Sequence, residues 1–145
     1  MYEVLDPTRC RYLRVQALGW SEKVSLRVEL YGYKEECSDH LRSTFSASSS
    51  AGFSLPGYGY LHSGIGSGAW CAQEHNVNQY LQAKLSSESI VTGVATQGQK
   101  SSDSWVNYFS LDYSLDDRAW IQYAGGKTSR IAYDHVSIIH SCRFD

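Results

Sequence analysis

The sequence predicts an all-β domain, and three observations carry the prediction. Apolar residues recur at every second position through most of the chain, the period of a half-buried strand rather than of a helix. Aromatic residues are abundant, with eleven tyrosines and four tryptophans against two prolines and one methionine, a composition suited to pleated surfaces. Turn signals (LGWSE, YGYKEE, KLSSES, QGQKSSDS, SLDD, AGGKT) cut the pattern into short runs. Many short strands spaced in this way make a sandwich or barrel, not a parallel βαβ sheet.

The elements follow in chain order. In RYLRVQAL (11–18) Leu13, Val15 and Ala17 share one face, with Arg14 and Gln16 on the other. SLRVELYGY (25–33) sets Leu26, Val28 and Leu30 against Arg27 and Glu29, then breaks at Gly32. Residues 37–43 alone read as a helical turn. QYLQAKL (79–85) opposes Leu81, Ala83 and Leu85 to Tyr80, Gln82 and Lys84. SIVTGVATQG (89–98) is apolar and β-branched enough for a central strand buried on both faces. WVNYFSLDYS (105–114) puts Trp105, Phe109, Leu111 and Tyr113 on one face. AWIQY (119–123) groups Ile121 with Tyr123, and DHVSIIH (134–140) groups Val136 with Ile138. The Gly- and Ser-rich stretch 43–69 is too long for a hairpin turn, and loops of this length are usually functional or disordered. Its Phe53, Leu55, Tyr58, Tyr60 and Leu61 argue against disorder, since a solvated linker rarely carries such groups.

With 145 residues the chain is one domain's worth and buries a real core. A net charge of −2 gives no basic footprint for nucleic acid. No apolar run approaches the roughly 20 residues of a membrane span. The opening MYEVLDPTRC has neither a basic n-region nor an apolar h-region, so it does not read as a secretory signal. Cys10, Cys37, Cys71 and Cys142 form no C-x-x-C pair, and both disulfides and free buried thiols stay open. Cys71 and His75 have no second ligand pair, so no metal site is expected. Asp116 and Asp117 lie in a turn and could ligate calcium, but as an ordinary acidic hairpin they need no ion. No nucleophile, zinc or phosphate-loop motif occurs, and GSGAW (66–70) lacks the lysine and helix that a phosphate cradle requires. The chain is therefore expected to be no enzyme and to carry no cofactor.

Several segments, taken together, resemble the discoidin domain, also called the coagulation factor V/VIII type C domain. They are SASSS (46–50), GAWCA (68–72), NQYLQAKL (78–85), VTGVATQGQ (91–99) and SWVNYFSLDYSLDDRAWIQY (104–123), with DPTRCRYLRV (6–15) and SLRVELYG (25–32). The resemblance implies an eight-stranded antiparallel jelly-roll-like (galactose-binding-like) β-sandwich barrel, circularly permuted. Family domains begin near a cysteine like Cys37 and finish on strands like RYLRV and LRVELYG, which here come first. VSIIHSCRFD corresponds to the segment that in the family runs into D-P-x-x-x-R-Y-L-R-V, so Asp145 holds the landmark also held by Asp6. The implied arrangement is a single domain, 1–145, in which 1–36 supply the family's C-terminal strands and 37–145 the N-terminal part. The barrel closes within one chain, or between two as a domain-swapped homodimer. Tyr33 stands where the family usually has its closing cysteine. A bridge between Cys10 and Cys142 is one pairing that the resemblance leaves open.

Family members are binding modules whose loops project at one end. The implied function is non-catalytic, extracellular or cell-surface recognition and adhesion, with a glycan, a phospholipid head group or a protein receptor as partner. The corresponding loops are 51–60, 99–104 and 19–24. In the first and its continuation, Phe53, Leu55, Tyr58, Tyr60 and His62 are candidates to insert, stack or bond. Lys100, Ser101 and Asp103 follow in the second, and Trp20 and Lys23 in the third. Trp20 is expected to pack beneath the loops; Trp70, Trp105 and Trp120 fall on family strand positions and are expected in the core. Gln79, Gln82 and Gln97 are expected to order the barrel. Membrane- and collagen-binding members carry bulky tryptophans directly after the SSS segment, where this chain has Ala51 and Gly52. Two alternatives stand beside this reading: a lectin module for galactose-type sugars, and a structural repeat acting through neighbour contacts.

Overall fold

The structure is a computed structural model that describes residues 2–34, 37–38, 41–100 and 102–123. It is all-β, and every strand pair is antiparallel. The strands are β1 (Tyr2–Ser21), β2 (Ser25–Tyr33), β3 (Cys37–Ser38), β4 (Ser43–Ala47), β5 (Trp70–Cys71), β6 (Tyr80–Gln97), β7 (Trp105–Ser114) and β8 (Ile121–Gln122). One 3₁₀ turn, Pro56–Tyr58, interrupts the long connection between β4 and β5.

The long strands β1 and β6 carry the architecture. They pair along most of their length, but Cys10 faces Ser89 whereas Tyr12 faces Lys84. Residues 85–88 of β6 thus oppose Arg11 alone. Extra residues on one strand bend it and increase its twist, so both strands turn a corner here. On one side of the corner β6 lies between β1 and β4, with β7 and β8 beyond β1. On the other side β6 lies between β1 and β2, which also pairs with β3 and β5. Strands that pass from one sheet to another through bulges are a recognised way to build a sandwich. Leu13, Val15, Leu81 and Leu85 from the first sheet join Leu26, Val28, Leu30 and Val94 from the second, with Trp70 and Phe109, in one buried cluster.

The alternation read from the sequence holds for Leu13, Val15 and Ala17, for Leu26, Val28 and Leu30, and for Leu81, Ala83 and Leu85, all of them buried. Residues 93–97 are buried on both faces, as a central strand should be. Other expectations need correction. KLSSES is not a turn between strands but the bulge within β6. Cys37 and Ser38 pair with Tyr33 and Gly32 as a short strand rather than opening a helical turn. Where β7 pairs with β1 the register slips on both sides of Gly19 of β1, and Val106 rather than Trp105 is fully buried. Ile121 and Tyr123 part company, the first exposed and the second buried. Trp120 is not part of the core; its indole centroid lies 3.9 Å from the Arg14 guanidinium carbon, which sits equally close to Tyr80. Residues 134–140 lie outside the described part of the chain.

Gly32 does not end its strand, because β2 continues through Tyr33. A Cβ at this position would stand 1.9 Å from the Ile90 carbonyl oxygen. That contact is with backbone, which cannot rotate away. Gly32→Ala is therefore expected to lower stability by about 2–3 kcal/mol, measured by urea unfolding. A loss within experimental error of zero would show that β2 and β6 do not approach as described.

Candidate functional site

Three ladder ends fix one end of the domain. Ser25 pairs with Cys71, Arg27 with Gln97 and Ser21 with Trp105. The loops leaving these positions, 21–24, 48–69 and 98–104, therefore begin side by side. Cross-loop hydrogen bonds hold them. The Ala51 amide donates to the Cys71 carbonyl at 2.9 Å, and the Ser54 hydroxyl lies 2.7 Å from that of Ser67. The Gln99 side-chain amide donates to the Ser67 carbonyl at 2.9 Å. Arg27, buried although it stands on the polar side of its strand, donates through Nε to the Gly98 carbonyl at 2.7 Å. Trp70 is fully buried and its Nε1 donates to the Ser49 carbonyl at 2.9 Å, which pins the start of the longest loop.

At the tip of that loop a tight turn closes through the Ser54 amide and the Ala51 carbonyl at 2.8 Å. Gly52 takes φ 46° there, a conformation that costs glycine no steric penalty. Phe53 follows, and 89% of its surface is exposed. Leu55, two residues on, is 48% exposed. Lys100 is exposed, and a Cβ added at Gly68 would stand 3.1 Å from the Cβ of Lys100. Lys23 and Asp103 are exposed, and Trp20 is half-buried, packed on the core beneath the turn. Ser101 lies outside the described residues.

The remaining candidates are placed differently. Tyr58 is half-buried, its ring lying so close over Gly66 that a Cβ there would sit 2.2 Å from it. Tyr60 turns to the flank, where its ring centroid is 4.7 Å from that of Phe45 and its hydroxyl donates to the Ser43 carbonyl at 2.7 Å. The His62 amide donates to the Gln97 side-chain oxygen at 2.9 Å, and its ring Nδ1 lies 3.2 Å from the Gln97 nitrogen. The structure thus groups Phe53, Leu55 and Lys100 at one end and separates Tyr60 from them. Sequence reasoning passed over Ile65, which is 69% exposed in the same run of loops; its signal was a lone aliphatic residue between glycines.

The glutamines do brace the scaffold. Gln79 receives the Ser48 and Ser49 hydroxyls at 2.9 and 2.5 Å, and Gln82 receives Arg14 at 2.8 Å while donating to Asp117 at 3.0 Å. Asp116 accepts backbone amides from Arg118 and Ala119, both at 2.9 Å. The amides of Ala119 and Arg118, in that order, hold its carboxyl below the usual carboxylate range. Among the described residues no group of three or more acidic, histidine or cysteine side chains is arranged to hold a metal ion. Cys10 and Cys71 are buried free thiols, and Cys142 lies outside the described residues.

The F5/8 type C domain family model matches residues 44–140. This chain belongs to that family. An F5/8 type C domain is a β-sandwich module for binding carbohydrate, lipid or protein, and the family is generally non-catalytic. Two discoidin-1 polypeptides of Dictyostelium discoideum are similar to it, each at 32% identity over 75 residues. In both comparisons the match covers 52% of this chain and 30% of the relative. It thus spans less than a third of each curated relative. No solved structure matches this F5/8 type C domain. No helix among its described residues is long and apolar enough to cross a membrane.

Proposed function

We propose that this domain is an extracellular-type, cell-surface recognition module that engages its ligand without chemistry, through the end carrying Phe53. The supporting observation is the exposure of Phe53 at 89% on a turn anchored to the scaffold by backbone hydrogen bonds. A large apolar ring held in water by a rigid support gains free energy when a partner covers it. The ring has no polar tip, which favours an apolar contact with a receptor pocket or a lipid interface. Lys23 and Lys100 nearby add charge that suits a head group or an acidic receptor side chain. For membranes the attachment is weak, since stable anchoring needs several apolar or basic groups.

The order of the strands belongs to the same reading. The family match begins at residue 44, yet β1 and β2 precede it and pair with β6 of the same chain. We infer that residues 1–36 supply the family's C-terminal strands in rotated order, closing one domain from 1 to 145. A monomeric mass in solution is expected; a tight dimer would favour exchange of strands between chains.

Ligand binding is tested with vesicles, a glycan array and cell-surface capture on the intact domain. In whichever assay the wild type binds, Phe53→Ala is expected to weaken binding about tenfold, the scale of one buried aromatic contact. Undiminished binding by a Phe53→Ala, Leu55→Ala double variant would exclude this end of the domain.

A further inference from the structure

A second region, on the flank of the domain, has the composition of a ligand site. Two adjoining hollows of about 330 and 290 Å³ share Arg42 and Ser43. The first runs beside Tyr60 and Leu61, and the second is lined by Arg11, Arg42 and Lys84 with the hydroxyl residues Ser43, Thr44 and Ser86. Ser43 opens β4 whereas Ala47 ends it and leads towards Phe53. The groove therefore sits about 13 Å back along that strand from the loop end.

Its electrostatics are one-sided. Arg11, Arg42 and Lys84 all reach solvent, and among the described residues no carboxylate lines the hollow that they share. The acid of the neighbouring bulge, Glu88, is held by Arg9 at 2.8 Å. Glu29, which lines the other hollow, accepts the Tyr31 hydroxyl at 3.1 Å. Gathering three cations in one concavity is unfavourable unless an anion arrives, because like charges raise each other's cost. The chain's net charge of −2 makes this local excess of positive charge a feature of placement, not of composition.

The other end of the groove offers an aromatic surface. Tyr60 is 42% exposed, and its contact with Phe45 and its bond to the Ser43 carbonyl fix the ring in place. A fixed aromatic ring is a stacking platform for a sugar face, and a cluster of guanidinium and ammonium groups recognises oxyanions. We propose that this groove binds a sulfated saccharide, a sugar ring resting on Tyr60 and its sulfate groups lying among Arg11, Arg42 and Lys84. Three cations exceed what a single carboxylate would balance, which points to a multiply charged chain. A bilayer is the poorer occupant, since the protruding apolar groups that it needs stand at the other end, on Phe53 and Leu55.

The test titrates the 145-residue chain with a heparin tetrasaccharide and with its desulfated counterpart. The sulfated form is expected to bind at least tenfold more tightly, with an affinity that falls as salt rises. Arg42→Ala and Lys84→Ala are each expected to weaken binding about fivefold, and together about twentyfold, while Lys84→Arg retains it. Tyr60→Ala lowers affinity for both forms. Both cationic side chains reach solvent, so thermal melting of the variants should match the wild type. Absence of binding, equal binding of the desulfated form, or indifference to the Arg42 and Lys84 changes would overturn the proposal. So would binding to phosphatidylserine vesicles that depends on Arg42 and Lys84 without any binding of the tetrasaccharide. Failure here leaves the Phe53 end untouched, because the two sets of variants share no residue.

Discussion

Trp70→Ala is expected to destabilise the domain by about 4–5 kcal/mol, a large share of the ~5–15 kcal/mol that holds a typical domain folded. Trp70 heads the fully buried side chains, with none of its surface exposed, and it joins both sheets' side chains in the single core. Removing an indole from a close-packed interior loses its transfer free energy and leaves a cavity that the neighbours fill only in part. The Ser49 carbonyl also loses its donor, which adds ~1 kcal/mol or more where water does not replace it. Trp70→Phe separates the two contributions: it keeps most of the packing, loses the bond, and should cost about 1–2 kcal/mol. Because that bond ties residue 49 to β5, binding through Phe53 should weaken in both variants at temperatures where they remain folded. Urea unfolding with ligand binding measured in parallel checks this. A Trp70→Ala variant within about 1 kcal/mol of the wild type would mean that the indole is not in the core.

The strands were legible because burial on one face imposes a period of two, and Leu13, Val15, Ala17, Leu81, Ala83 and Leu85 obey it. The pattern failed where one strand changes sheets. Ser86–Ser89 carry turn chemistry, yet they remain in β6 because the corner is made by a bulge, whose composition resembles that of a loop. It failed also where a loop covers a strand from outside. Arg27 alternates as a solvent-facing residue, but the carbonyls of Gly98 and Ser63 lie over it, so its side chain is buried among acceptors. Trp120 shows the reverse: a tryptophan expected in the core covers an arginine instead.

The candidate site divides in the same manner. Phe53 and Leu55 were readable as large apolar groups in a Gly- and Ser-rich loop, because such groups there must either fold back or project. Which of them project depends on the loop's own hydrogen bonds. Tyr58 folds back over Gly66, while Tyr60 reaches Ser43 on β4. The basic hollow was not readable, since Arg11, Arg42 and Lys84 come from three separate segments and only the pairing of β6 with both β1 and β4 brings them together.

Alkaline conditions should expose the weight of one buried thiol. Cys10 has no exposed surface and pairs with Ser89 at the β6 corner. Burial, with the negative charge of Glu88 as a smaller cause, pushes its thiol from the ordinary 9.0 up to about 12. In the unfolded chain the same thiol ionises near the ordinary value. Between about pH 9 and 12 the unfolded state therefore binds fewer protons than the folded one, and stability falls as pH rises. Below that window the contribution is complete; across it the loss approaches ~4 kcal/mol, an order-of-magnitude figure. Tyrosines and lysines titrate in the same range, so the measurement is a comparison. Under reducing conditions, the difference in unfolding free energy between wild type and Cys10→Ala is followed from about pH 8 to 11. Wild type should lose its packing advantage progressively, and Cys10 should resist alkylation until the domain unfolds. Parallel pH dependences for the two proteins would show that the thiol is neither buried nor shifted as described.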